Sequence, residues 1–172
     1  MCLFGDGAAA IVATGADRVP PAGLPLHPPG PRLLATRSRL FADTIDVTGW
    51  NVSSSGFQLV MSRDVPKMAD DHLGGEVDRF LADHGLTTAD IATWVCHPGG
   101  PKVLDAMSNA IAMPPDALRH NWQSMRDYGN ISSASVLDVL DRTVSAGPPA
   151  AGSLADARDG PGFAFELLLL GW

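Results

Sequence analysis

The chain has 172 residues, 45% of them apolar and 18% charged, with a net charge of -7 and a pI of about 4.9. That is an ordinary globular balance, long enough for one domain with a sizeable core. The acidic sign argues against a nucleic-acid partner, which needs a basic face, and against an anionic membrane surface. Two cysteines, Cys2 and Cys96, make no disulfide framework. No CxxC or HExxH occurs, so no metal site is expected. There is no membrane-length apolar run and no signal-peptide pattern, so a soluble, cytoplasmic protein is expected. Apolar, glycine-rich sequence starts almost at Met1, as if the chain opened in mid-domain.

The Phe4-Gly5-Asp6-Gly7 stretch is a turn signal, and the small apolar residues 8–13 predict a buried strand. No GxGxxG or GxxxxGK[ST] is present to cradle phosphate. Residues 17–31 hold six of the fourteen prolines and read as a loop, with His27 solvated inside it. Residues 32–40 predict a strand, with 41–50 running on toward a hairpin partner. Ser53 to Gly56 form a turn and 57–61 another strand. Residues 65–86 predict a helix capped by Asp64, with Pro66 in its first turn and Gly85 as its stop. Leu73, Val77, Phe80 and Leu81 fall at helical spacing, while Gly74 and Gly75 weaken the middle. His72 and His84 read as exposed.

Residues 91–96 predict a buried strand that ends at His97. Pro98, Gly99 and Gly100 break it, and Pro101 opens a helix over 101–112. A third helix over 117–128 places Leu118, Trp122 and Met125 on one side, and its His120 reads as structural. Gly129 to Ser133 break the chain again; Ser132 or Ser133 can cap a helix that runs to about residue 146. Residues 147–159 read as a loop, 160–162 as a tight turn, and 163–170 as a strand buried on both faces. Strands, helix, strand, helices, strand is an α/β layered order. There is no internal repeat.

His97 and Asn130 occupy matching places, each in a glycine-bearing break before a helix. If the two helix starts lie side by side, an imidazole and a carboxamide converge in an oxyanion-type arrangement. Such a pair could hold a thioester oxygen as it becomes an enolate, and the imidazole could stabilise a cysteine thiolate. The plainer reading is that Asn130 only takes a left-handed turn, which asparagine tolerates. Cys96 adjoins His97, but successive strand side chains point to opposite faces. It reads as a small buried apolar residue, not a dyad partner.

Five motifs occur in order: Leu-Phe-Gly-Asp-Gly-Ala-Ala at 3–9, Arg-Asp-Val-Pro at 63–66, His-Pro-Gly-Gly-Pro at 97–101, Tyr-Gly-Asn-Ile-Ser-Ser at 128–133 and Gly-Pro-Gly at 160–162. Together they resemble the C-terminal half of a type III polyketide synthase, of the chalcone and stilbene synthase family. The resemblance implies a thiolase-like α/β fold with a mixed sheet packed by helices. This chain would be its C-terminal half, a single domain over 1–172. It implies an acyltransferase that condenses malonyl-CoA, with decarboxylation, onto an acyl starter carried on a cysteine. Acyl-CoA and malonyl-CoA are the implied substrates, and no metal or organic cofactor takes part. His97 and Asn130 match the catalytic histidine and asparagine. Phe4 matches a gatekeeper, Ser132 a cavity wall, and Gly160, Pro161 and Gly162 a cavity-shaping loop. Gly99 and Gly100 join the substrate-binding set, because backbone there can approach a ligand.

The departures are specific. The family's nucleophilic cysteine lies in the other half, and neither Cys2 nor Cys96 falls at its place. Leu59 stands at a second gatekeeper position usually aromatic, Asp159 stands where an aromatic precedes Gly-Pro-Gly, and residues 18–31 diverge. The isolated chain is therefore expected to be inactive alone and to need an N-terminal half or a synthase homo-oligomer. From another functional class, it would be a truncated product or non-catalytic subunit that binds an intact synthase.

Overall fold

A computed structural model describes residues 4–15, 17, 30–147, 153–156 and 162–172, with backbone alone for 153–156. Helices of 10 to 18 residues and short strands follow the apolar periods of the sequence. The strands are β1 (Arg32–Leu40), β2 (Thr48–Ser53), β3 (Gly56–Met61), β4 (Thr93–Cys96), β5 (Ser153–Asp156) and β6 (Ala164–Gly171). The helices are α1 (Val65–Ala82), α2 (Pro101–Ile111), α3 (Arg119–Tyr128) and α4 (Ala134–Ser145).

Four strands form one mixed sheet in the order β1-β6-β5-β4. β4 and β5 are parallel; β6 is antiparallel to β5 and β1. β5 lies inside the stretch read as a loop. Its residues, Ser-Leu-Ala-Asp, carry no strong strand signature, and only its neighbours in the sheet make it a strand.

The sheet divides two apolar clusters, and the period of two decides which side chain goes where. Trp94 and Cys96 of β4 and Phe165, Leu167 and Leu169 of β6 join α1 and α2. Val95 of β4 and Leu170 of β6 turn to the other face and meet Val136 and Val139 of α4. Cys96, the last residue of β4, is fully buried in the cluster with α1 and α2.

α1 ends at Ala82, earlier than expected, through the predicted glycine stop. Gly85 takes φ +70, and the Leu86 N–H returns to the Leu81 carbonyl at 2.9 Å. Asp64 stands at the N-cap position, but its side chain makes no cap; it accepts instead from Ser62 Oγ. His72 is half-buried, its ring 4.8 Å from that of Phe41, while His84 is exposed. Glu76, nearly buried, joins Arg79 at 2.7 Å and Arg39 of β1 at 3.3 Å, tying helix to sheet.

Gly74 has a different role from the one its type suggests. A Cβ there would stand 2.3 Å from the Ala110 carbonyl oxygen of α2. The residue is bare because two helix backbones approach one another at that point. Gly75 next to it meets nothing closer than the flexible end of Arg79, at 3.6 Å. The helix is continuous through both.

Two expectations fail. Residues 8–13 form no strand and are exposed, Val12 at 89%. No described strand lies beside them to accept their hydrogen bonds. In α3, Trp122 points out, and the buried face is Leu118, Asn121 and Ser124 with Met125 half-buried. The β2/β3 hairpin also presents apolar side chains outward, among them Trp50 edge-on to Phe57.

The end of α3 is braced to α4 by Arg142, which donates to Asp127 at 2.9 Å and Asp138 at 2.8 Å. The hydrogen bond from Arg142 holds the Asp127 carboxyl below the usual carboxylate range, its exposed position allowing only a small effect.

Two predictions follow from this packing. Gly74→Ala should lose about 1–3 kcal/mol by overpacking, and so about 2–12 °C in Tm for a domain of this size. Gly75→Ala should hold or raise Tm, since alanine favours a helix by about 1 kcal/mol; equal losses at both positions would refute the close-approach reading. The Asp127 pair stabilises above the ordinary carboxylate range and is lost as pH falls through the lowered value, below about pH 4. Asp127→Asn should therefore flatten the acid limb of the Tm–pH curve, and an unchanged slope would count against the brace.

Candidate functional site

The strand β4 carries the chain through the core and releases it at His97. Pro98 is fully buried, and the Gly99 N–H turns back to the His97 carbonyl at 2.8 Å. Gly100 is the N-cap residue of α2, and Pro101 takes its first turn, where the absent N–H costs nothing. A side chain at 99 would stand against the imidazole, 3.4 Å from Cδ2 and 3.5 Å from Nε2. Glycine there leaves that edge of the ring open.

His97, Gly99 and Gly100 form part of the wall of a cavity of about 540 Å³. The rest is mainly apolar, including Val65, Met107 and Phe163, with Arg63 and Lys102 also lining it. A second hollow of about 690 Å³ lies by α3 and the Pro114–Pro115 turn; it holds neither break.

The other break is built by local necessity. Gly129 has φ 72 and ψ -159, a backbone that only glycine adopts without cost. Ser132 is held at φ +56, unusual for a residue with a Cβ. Its N–H donates to Asn130 Oδ1 at 2.8 Å. The Ile131 N–H donates to Ser135 Oγ at 2.9 Å, in the first turn of α4. Neither Ser132 nor Ser133 caps that helix with its side chain.

Asn130 is buried, and its Nδ2 donates to the Gly99 carbonyl at 3.0 Å. The two bonds fix the carboxamide's orientation, because one end faces an acceptor and the other a donor. Gly99 takes one of the two Nδ2 hydrogens. The His97 break and the Asn130 break are therefore joined by a direct hydrogen bond, 31 residues apart in sequence. Asn130 reaches the cavity wall through Gly99.

Residues 4–7 press on the same break. Phe4 bridges Asn130 in parallel, and the Gly5 N–H donates to the Asn130 carbonyl at 3.0 Å. A Cβ on Gly5 would lie 2.0 Å from the Tyr128 carbonyl oxygen, and one on Gly7 would lie 2.8 Å from Ile131 Cδ1. The Gly-Asp-Gly stretch is thus a place of backbone contact.

The remaining predicted residues lie apart from the cavity wall. Phe4 is 42% exposed, Leu59 sits opposite Trp50 on the hairpin, and Ser132 is exposed. Gly162 is buried at φ +84 and exchanges two hydrogen bonds with Thr48, at 3.0 and 3.3 Å. It directly precedes Phe163 of the wall. Gly160, Pro161, Asp159, His27 and Cys2 lie outside the described residues. Among the described residues no group of three His, Cys, Asp or Glu could hold a metal ion. No described helix is long and apolar enough to cross a membrane.

Sequence reasoning missed Asn121. It is fully buried on α3, and its Nδ2 donates to the Cys96 carbonyl at 2.5 Å. A signal existed: a polar residue stands three places after Leu118 and four before Met125, on the apolar stripe.

The chain is similar to known proteins along most of its length. Residues 32–170 match the family described as chalcone and stilbene synthases, C-terminal domain. A 1,3,6,8-tetrahydroxynaphthalene synthase from Streptomyces peucetius subsp. caesius is 45% identical over 172 residues, covering 99% of this chain and 44% of that protein. A putative chalcone synthase from Bacillus subtilis (strain 168) is 36% identical, covering 99% of this chain and 46% of that protein. The chain spans less than half the length of the curated relatives it matches. Among solved structures, 1,3,6,8-tetrahydroxynaphthalene synthase from Streptomyces coelicolor A3(2) superposes with a TM-score of 0.76 at 32% identity, over 83% of this chain and 41% of that one. The C-terminal type III polyketide synthase domain of Steely1 from Dictyostelium gives 0.74 at 25% identity, over 81% and 40%. The thiolase-like α/β layers, the two joined breaks and the matched span agree: this chain belongs to the chalcone and stilbene synthase family of type III polyketide synthases.

Proposed function

We propose that this chain supplies the histidine and asparagine of a decarboxylating acyltransferase whose nucleophilic thiol comes from an N-terminal half. The observation that carries this reading is the Asn130–Gly99 hydrogen bond, which draws the two breaks together beside the cavity that His97 lines. Acyl-CoA and malonyl-CoA are the substrates of this reading, and a cytoplasmic location belongs with them.

The chemistry needs two donors on one oxygen. When malonyl thioester loses CO2, the electron pair of the broken C–C bond moves into an enolate. Negative charge then rests on the former carbonyl oxygen. Preorganised neutral donors stabilise that charge without reorganising at the moment of reaction. His97 and the remaining Nδ2 hydrogen of Asn130 fill that role. The enolate carbon attacks an acyl thioester, a C–C bond forms, and a thiolate leaves. Cys96 is unsuited to be that thiol, being buried in the α1/α2 cluster on the strand before His97.

A second reading has its own support. Apolar residues 11, 12, 50, 52 and 57 are all more than half exposed. Apolar surface of that kind favours a covering partner. On this reading the chain is a truncated or non-catalytic subunit that binds an intact synthase or a separate N-terminal half.

The readings separate in one experiment. The chain alone should make no polyketide from a starter CoA and malonyl-CoA; product from the purified chain would refute the two-part site. Mixed with a separately produced, cysteine-bearing N-terminal half of a relative, it should release CO2 from malonyl-CoA. His97→Ala or Asn130→Ala should lower that rate by about 100-fold or more, the usual loss for one oxyanion donor. A stable complex in which neither substitution changes the rate would favour the non-catalytic subunit.

A further inference from the structure

The backbone around His97 is gripped on both sides, once from α3 and once from the break that follows it. The carbonyl of residue 96, just before His97, accepts from Asn121 Nδ2 at 2.5 Å. The carbonyl of residue 99, two places after it, accepts from Asn130 Nδ2 at 3.0 Å. Asn121 lies in the first turn of α3, and Asn130 lies two residues past its end. α3 and the break after it thus set two carboxamides, nine residues apart in sequence, on either side of the catalytic-site loop.

Asn121 is built in at a cost. Its side chain is fully buried, yet Oδ1 finds no partner among the described residues, nor does Oγ of fully buried Ser124 one turn later. Leaving such atoms unpaired in the interior is destabilising. An apolar residue at 121 would suit the stripe between Leu118 and Met125. What Asn121 gains in return is the bond to the peptide that leads into His97.

We propose that Asn121 is a positioning residue: it fixes the peptide plane entering His97, and with Asn130 it sets the direction of the imidazole toward the cavity. The catalytic meaning of the role rests on the function proposed above; the geometric role does not.

The test uses the whole chain and the histidine ring signals in NMR, with the His97 signal assigned by its loss in His97→Ala. Asn121→Leu keeps the volume and removes the donor. It should displace the His97 signal and its titration midpoint by more than those of His72 and His84. Asn121→Ser keeps a shorter donor and should give a smaller displacement; it serves if the leucine variant does not fold. Val77→Ala is the control. It opens the same core on α1, about 12 Å along the helix from the wall residue Ala69 at 1.5 Å per residue. It should lower Tm without moving His97. In the complex with an N-terminal half, Asn121→Leu should reduce kcat for decarboxylation by about 10- to 100-fold, the scale of a slight misplacement, with KM little changed. A His97 signal that stays put in Asn121→Leu, or moves as much in Val77→Ala, overturns the positioning role. A displaced signal without any thioester chemistry would uphold the role and remove the proposed function instead.

Discussion

The structure turns on a side-chain amide bonded to a backbone carbonyl. Asn130 Nδ2 and the Gly99 oxygen join two loops that the sequence keeps 31 residues apart. The bond is possible because each loop is short of side chains where they meet. Gly99 leaves the imidazole edge open, and Gly129 adopts a backbone no other residue would take cheaply. Ser132 is held at its positive φ by two bonds of its own peptide groups: its N–H donates to Asn130 Oδ1, and its carbonyl accepts from the Ser135 N–H at 3.0 Å.

The sheet explains why the loops stand where they do. β4 is buried on both faces, so its end is fixed by two clusters of apolar side chains at once. Helices α1 and α2 pack closely enough that one position, Gly74, must lack a side chain. α3 and α4 are joined by the break itself and clamped by Arg142. A histidine set at the junction of these elements inherits their rigidity, which is what preorganised electrostatics requires.

Much of this was legible in the residues. The four long helices followed the 3.6-residue period, and the near-continuous apolar composition of β6 marked a strand covered on both sides. The paired breaks showed in the placement of Gly, Pro and Asn before helices. Other features depend on partners that no local pattern names. β5 is four unremarkable residues made into a strand by β4 and β6. Gly74 looks like a weak point until Ala110 is placed opposite it. Residues 8–13 have strand composition, but a strand needs a neighbour, and none of the described strands adjoins them. Asn121 breaks an apolar stripe, yet only the fold reveals that the Cys96 carbonyl waits beneath it.

The central claim is that His97 and Asn130 act on one oxygen. A crystal structure of this chain joined to an N-terminal half, with a non-reactive malonyl-CoA analogue bound, tests it most directly. The account predicts the thioester oxygen at about 3 Å from both His97 Nε2 and Asn130 Nδ2, ordinary hydrogen-bond distance. A thioester oxygen held by only one of them, or lodged elsewhere in the cavity, would contradict it.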